Sequence, residues 1–188
     1  IMEWNETNLD INTNKYVAEA YKQGKYAFAS DYFRFDIIER FGGLYLDTDV
    51  EIIKSFEDLL EDKNVVMGFE FNGETINPGL IMFAKMPLHP FMKKMRDSYE
   101  ERVFTTGNNG LPTTICKYTS DLLVEYGAIM NDQYQQVRDI TLYPSTYFCP
   151  TNKEWSVQKF SSETRCIHHY GASWLGNGNL LLNLKKLL

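Results

Sequence analysis

Asp47 and Asp49 flank Thr48 directly after the apolar run Leu44-Tyr45-Leu46, and this corner carries the clearest chemistry in the sequence. In extended backbone, residues i and i+2 face the same side, so both carboxylates are expected to converge on one place. Converging carboxylates repel each other unless a cation sits between them. A hard divalent ion with oxygen ligands, Mn²⁺ or Mg²⁺, relieves that repulsion and keeps open positions for a substrate. Such an ion can bridge a diphosphate and absorb the charge that develops as the diphosphate leaves. The plain alternative is a loop with two solvated aspartates, because two acids at this spacing are common.

Two further groups of residues could serve the same chemistry. By helical spacing, Ala27, Asp31, Arg34, Ile38 and Phe41 form one stripe, which Asp31 and Arg34 interrupt as an i, i+3 pair. An exposed pair of this kind contributes only about 0.2–0.5 kcal/mol and can sit anywhere on a polar face. Buried charges cost several kcal/mol per ion without compensation, so a charged pair on an apolar stripe points to function. The second group is His168-His169-Tyr170-Gly171-Ala172-Ser173-Trp174, which follows an apparent strand. Adjacent side chains on a strand face opposite ways, so only one of the two histidines is expected to reach a given site. A satisfied structural histidine is the simpler reading of either.

The elements that must position these residues follow from pattern and punctuation. The sequence predicts helices over 12–21, closed by Gly24, and over 27–41, stopped by Gly42-Gly43. Short strands are expected at 44–46 and 50–53, and Ser55 can cap a helical turn over 57–60. Segments 64–71 and 76–84 read as strands joined by Asn72-Gly73 turn chemistry. Helices are expected over 88–102 and 112–126, and late strands over 139–143 and 165–170. Interleaved strands and helices imply an α/β domain with a mixed sheet. The segment 179–188 reads as an amphipathic helix that packs on the domain, with membrane-surface binding as the minor reading. No linker or repeat interrupts the chain, so one domain over 1–188 is expected.

Composition narrows the function classes. The 188 residues are 44% hydrophobic and 23% charged, which is globular rather than disordered material. A net charge of −6 lacks the basic field of a general nucleic-acid binder. Cys116, Cys149 and Cys166 are odd in number and widely spaced, which indicates free thiols in a reducing compartment. No apolar run approaches the ~18 residues of a membrane span. The signatures of a nucleophile elbow, a P-loop, a zinc protease helix and a dinucleotide fold are absent.

Ser30-Asp31-Tyr32-Phe33-Arg34, followed by Glu39-Arg40-Phe41-Gly42-Gly43-Leu44-Tyr45-Leu46-Asp47-Thr48-Asp49, resembles the DxD sugar-binding region of family 32 glycosyltransferases. That family includes yeast initiating mannosyltransferases and bacterial capsule and exopolysaccharide transferases, and the clostridial glucosylating toxins are similar over the same stretch. The segments 77–90, 105–113 and 166–174 agree more loosely.

The resemblance implies a GT-A-like (Rossmann-like) mixed sheet flanked by helices. Relatives open with a strand and a Trp-containing turn that helps hold the base; the chain is expected to lack that first strand. It further implies a retaining, metal-dependent transfer of a hexose from a nucleoside diphosphate sugar, with UDP-sugars favoured. By position, Asp31 and Arg34 would hold donor hydroxyls, and Tyr45 would line the donor pocket. Asp47 would touch ribose and sugar and help hold Mn²⁺ or Mg²⁺, which Asp49 would coordinate directly. His168, at the family's more regular position, would complete the metal site, with His169 as the fallback. Ser173 and Trp174 would donate hydrogen bonds to the phosphates.

The expected acceptor is a glycan or lipid-linked saccharide of surface polysaccharide synthesis, reached in the cytoplasm or at the inner face of the membrane. Two rivals remain. A non-enzymatic carbohydrate-binding domain would suit the 24 Tyr and Phe residues but not the clustered acids. A DxD phosphohydrolase would place Thr or Val where Glu51 stands.

Overall fold

The computed structural model describes residues 3–105, 113–151 and 160–170. Within them, residues 3–37 and 90–105 cluster into one compact unit, and 38–89, 113–151 and 160–170 into a second. The expected helix over 179–188 lies outside the described residues, as do Ser173 and Trp174.

The first unit is helical. Helix α1 (Lys15–Lys22) begins later than the pattern suggested, because the Asn14 side chain accepts from the Val17 amide and so defines its start. Helix α2 (Tyr26–Phe41) matches expectation and runs in this unit as far as Ile37. Its residues 31–35 are all buried, so Asp31 and Arg34 are surrounded rather than set on one stripe; Phe41, placed on that stripe by spacing, is exposed. Aromatic rings fill the core of this unit. Tyr16 meets Tyr99 at 5.0 Å and Phe104 at 5.4 Å, and Tyr32 meets Tyr99 at 5.8 Å, all edge to face.

The second unit is built on a mixed sheet. Strand β1 (Gly43–Tyr45) follows Gly42 and Gly43, whose φ values of +67° and +97° end the helix in a conformation that side chains disfavour. Strand β2 (Val50–Ile52) comes next, then the short helix α3 (Glu57–Leu60), with Ser55 Oγ accepting from the Glu57 amide as the sequence suggested. Strand β3 (Val65–Glu70) is buried at every position, which fits its central place between an antiparallel and a parallel neighbour. A 3₁₀ turn at Phe71–Gly73 takes up the expected Asn72-Gly73 reversal.

Beyond that turn, two expectations give way. The single strand read over 76–84 is two, β4 (Thr75–Ile76) and β5 (Met82–Ala84). Asn77-Pro78-Gly79-Leu80 folds into a turn between them, closed by the Leu80 amide on the Asn77 carbonyl at 3.2 Å. The helix read over 88–102 is α4 (Pro90–Asp97), which lies in the first unit and opens on the proline.

Helix α5 (Ile115–Glu125) is capped by Thr114, and strands β6 (Gln135–Val137) and β7 (Ile140–Tyr143) form a tight hairpin. Sequence patterning missed β6, whose Gln-Gln-Val lacks an apolar signature. It also missed the short helix α6 (Ser145–Phe148). Strand β8 (Cys166–His168) is the last described.

The main sheet runs β1-β5-β3-β7-β6, with β4 added beside β3. Among the described strands of this sheet, only β3 and β7 pair in parallel. A separate antiparallel ribbon joins β2 to β8. Phe56, Leu59, Val66, Leu80, Ile81, Phe148 and Cys166 make the apolar core of this unit. All three cysteines carry free thiols. Among the described residues, no helix is long and apolar enough to cross a membrane.

Candidate functional site

Asp47 lies just past the end of β1. Its amide donates to the Gly79 carbonyl at 2.8 Å, which prolongs the β1–β5 pairing toward the Asn77–Leu80 turn. Thr48 and Asp49 lie in a turn rather than in a strand. The Val50 amide donates to the Asp47 carbonyl at 3.1 Å, so Asp47-Thr48-Asp49-Val50 makes a turn. Convergence of the two carboxylates therefore comes from the turn and not from strand alternation. Tyr45 lies one step back on β1, and its hydroxyl donates to Asp47 Oδ1 at 3.0 Å.

His168 reaches this corner through strand register. Val50 pairs with His168 across the β2–β8 ribbon, and the His169 amide donates to the Asp49 carbonyl at 3.0 Å. His168 Nε2 stands 3.3 Å from Asp49 Oδ1 and 3.5 Å from Asp47 Oδ2. The ring is buried, whereas the two carboxylates are partly open. One ligand atom from each of Asp47, Asp49 and His168 lies within 4.8 Å of the others. His169 turns elsewhere, its Nε2 2.9 Å from Glu51 Oε2. The alternation expected of adjacent strand residues thus separates the two histidines.

Residues 1–66 match the glycosyltransferase sugar-binding region containing DXD motif. No curated protein and no solved structure matches the chain. The matched sugar-binding region covers about a third of the sequence and includes Asp31, Arg34, Tyr45, Asp47 and Asp49. It ends before His168, which joins the DXD aspartates only through the fold. This match supports a glycosyltransferase-type region and, with it, a transferase that uses a nucleotide-sugar donor and a saccharide acceptor.

Asp31 and Arg34 of the sugar-binding region lie in the first unit. They pair with each other at 2.8 Å, and both are buried. Ser30 Oγ lies 3.5 Å from the same guanidinium nitrogen. The charged pair on α2 is therefore held inside its unit, the arrangement whose desolvation is costly.

The donor set suits a hard divalent cation in part. Asp47 and Asp49 offer carboxylate oxygens, the ligand type that Mn²⁺ and Mg²⁺ take. His168 is held differently. The Tyr170 amide donates to its Nδ1 at 3.0 Å, so Nδ1 is the acceptor and the ring hydrogen sits on Nε2, facing the aspartates. Ligation through Nε2 needs that hydrogen moved to Nδ1, as in most metal-bound histidines. Ligation and the Tyr170 amide bond exclude each other. The aspartates fit the ion as they stand, and His168 fits once that amide turns away.

Gly79 and Tyr170 shape the corner although sequence reading did not single them out. A Cβ at Gly79 would fall 2.0 Å from Asp47 Oδ2, so only glycine lets the carboxylate lie where it does. Tyr170 stacks on Phe71 with centroids 5.1 Å apart and lies 4.0 Å from the His168 ring. Burial pushes its phenol far above the ordinary range, so it serves as a hydrogen-bond donor. A glycine two residues after an asparagine, in a stretch read as strand, was the available signal for the first. Tyr170 stood in the 168–174 group without a role of its own.

Proposed function

We propose that this chain is a family 32-type glycosyltransferase with a GT-A-like fold, one domain over 1–188. It moves a hexose from a nucleoside diphosphate sugar, UDP-sugars favoured, to a glycan or lipid-linked saccharide in surface polysaccharide synthesis such as capsule formation. It works in the cytoplasm or at the inner face of the membrane. The observation that carries the reading is the convergence of Asp47, Asp49 and His168 at the end of β1, within and beside the matched sugar-binding region.

Asp47 and Asp49 would hold the cation, and His168 would join them when the Tyr170 amide releases its ring. The cation, when bound, supplies positive charge where the diphosphate departs. Tyr45 fixes the rotamer of Asp47 through its hydroxyl and lines the donor pocket. Asp31 and Arg34 take donor-sugar hydroxyls as acceptor and donor, and Ser173 and Trp174 donate to the phosphates. No side chain is assigned as a nucleophile. The acceptor hydroxyl approaches the face from which the phosphate leaves and passes its proton to that phosphate, so the anomeric configuration is kept. Stabilisation of the departing charge by fixed groups is the main catalytic contribution of the protein.

Calorimetric titration of UDP and then GDP, with Mn²⁺ and again with EDTA, tests this reading. Binding of one nucleotide that EDTA abolishes is the expected result. Binding of neither overturns it, and nucleotide binding indifferent to EDTA removes the cation from the mechanism.

A further inference from the structure

Glu70, at the end of the central strand β3, is buried with no salt bridge among the described residues. Three side chains donate to its carboxyl group. Thr75 Oγ1 reaches Oε1 at 2.6 Å, and Asn77 Nδ2 and the Tyr170 hydroxyl reach Oε2 at 2.8 and 2.9 Å. Burying an acid this deeply is costly, and plain packing would be served as well by an apolar residue. Thr75 is local to the β3–β4 hairpin; the other two donors lead to the aspartate–histidine corner from opposite sides.

On one side, the Asn77 side chain that donates to Glu70 also accepts from the Gly79 amide at 2.7 Å. Gly79 in turn accepts from the Asp47 amide and lies flush against the Asp47 carboxylate. On the other side, the Tyr170 hydroxyl is tied to Glu70, while the Tyr170 amide fixes Nδ1 of His168. Tyr170 has φ +47°, a conformation side chains seldom adopt, so fixing its ring also helps hold that backbone in place. Cys149 Sγ lies 3.0 Å from the Tyr170 hydroxyl and closes the cluster on its buried side.

We infer that Glu70 is a positioning residue for the Asp47–Asp49–His168 cluster: one buried carboxyl group sets the Asp47 seat through Asn77 and Gly79, and the His168 tautomer through Tyr170. It touches neither cation nor donor. The inference rests on the reading of this corner as a cation site, but its first consequence appears without any metal.

Nitrogen-15 spectra of the imidazoles in the metal-free full chain provide the test, since three histidines give few signals. The wild type is expected to present His168 with hydrogen on Nε2 and an accepting Nδ1. Glu70→Gln should lose that single tautomer and show exchange between the two ring nitrogens, with His89, which pairs with Asp139, unchanged. Tyr170→Phe, which removes one hydroxyl, asks the same of the histidine arm with less burden on the fold. Because the Tyr170 amide holds His168 in the tautomer that cannot ligate, Tyr170→Phe should bind Mn²⁺ about 10-fold more tightly in a manganese titration followed by electron paramagnetic resonance. An unmoved His168 tautomer in both variants overturns the proposal, as does a His168 change that His89 shares. If the wild type binds no Mn²⁺, the cation reading fails while the imidazole spectra still decide the role of Glu70.

Discussion

Gly79→Ala is the sharpest probe of the corner. The new Cβ would sit 2.0 Å from Asp47 Oδ2 and 2.6 Å from its Cγ, where ordinary contact begins near 3.4 Å. The oxygen must therefore retreat by about 1.4 Å. It can do so cheaply in stability, because the Asp47 side chain is 26% exposed and can rotate toward solvent. That rotation breaks the Tyr45 hydrogen bond, worth about 1 kcal/mol, which lowers Tm by roughly 2–4 °C in a chain of this size. The effect on function is much larger. A misplacement of about 1 Å can cost 10²-fold in turnover, and a displaced ligand costs about 10–100-fold in cation affinity. Paired measurements of thermal unfolding and Mn²⁺ affinity separate the two effects. A Gly79→Ala protein that unfolds like wild type and binds Mn²⁺ equally well would refute the placement of Asp47 in a cation site.

Asp47→Asn and Asp49→Asn each keep side-chain shape and remove charge, so each should abolish Mn²⁺-dependent nucleotide binding by calorimetry with an unchanged circular dichroism spectrum; retention of binding by both rejects the two as ligands. Arg34→Ala breaks an ion pair whose side chains are 6% and 11% exposed, which should lower Tm by on the order of 10 °C. A shift under 2 °C in differential scanning calorimetry would rule out a buried pair. Burial pushes the Cys166 thiol and the Tyr143 phenol up to about 12, from ordinary values of 9.0 and 10.0, and raises the Cys149 thiol as well. Unfolded chains give up these protons from about pH 9 upward, while the folded protein keeps those of Cys166 and Tyr143 to about pH 12. Stability should therefore be complete below pH 9 and fall as pH rises through that window. Urea midpoints at pH 7.5, 9 and 10.5 check this, and a flat series contradicts it.

Local signals carried much of the architecture. Gly42-Gly43 ended α2 where the sequence placed the stop, because a positive φ at both positions leaves few other residues able to stand there. The fully buried β3 announced itself by its apolar run, whereas α5 starts three residues later than the pattern placed it, at the Thr114 cap. The aspartate corner was legible by residue type, but its geometry was not. A turn closed by the Val50 amide replaces the expected strand alternation, since the hydrogen bonds that decide between them involve backbone rather than side chains. Asn77-Pro78-Gly79 was read through as strand although it contains the residues that turn chains. Glu70 was hidden because an acid closing an apolar strand is indistinguishable in sequence from one turning outward. Its meaning depends on Tyr170, a hundred residues away.

The ribbon between β2 and β8 joins positions 118 residues apart, as the His169–Glu51 contact records. The cluster is thus the knot of a long loop. Closing such a loop carries an entropic cost that rises slowly with length, and pairings this distant in sequence form slowly. A stretch ending at residue 66 carries both aspartates and none of β8, so the carboxylates meet their histidine only after the chain has folded back on itself. A cation bound at this corner would act as a staple across the whole second unit, favouring the folded state by mass action. Chelation would then be felt first as a faster opening of the ribbon.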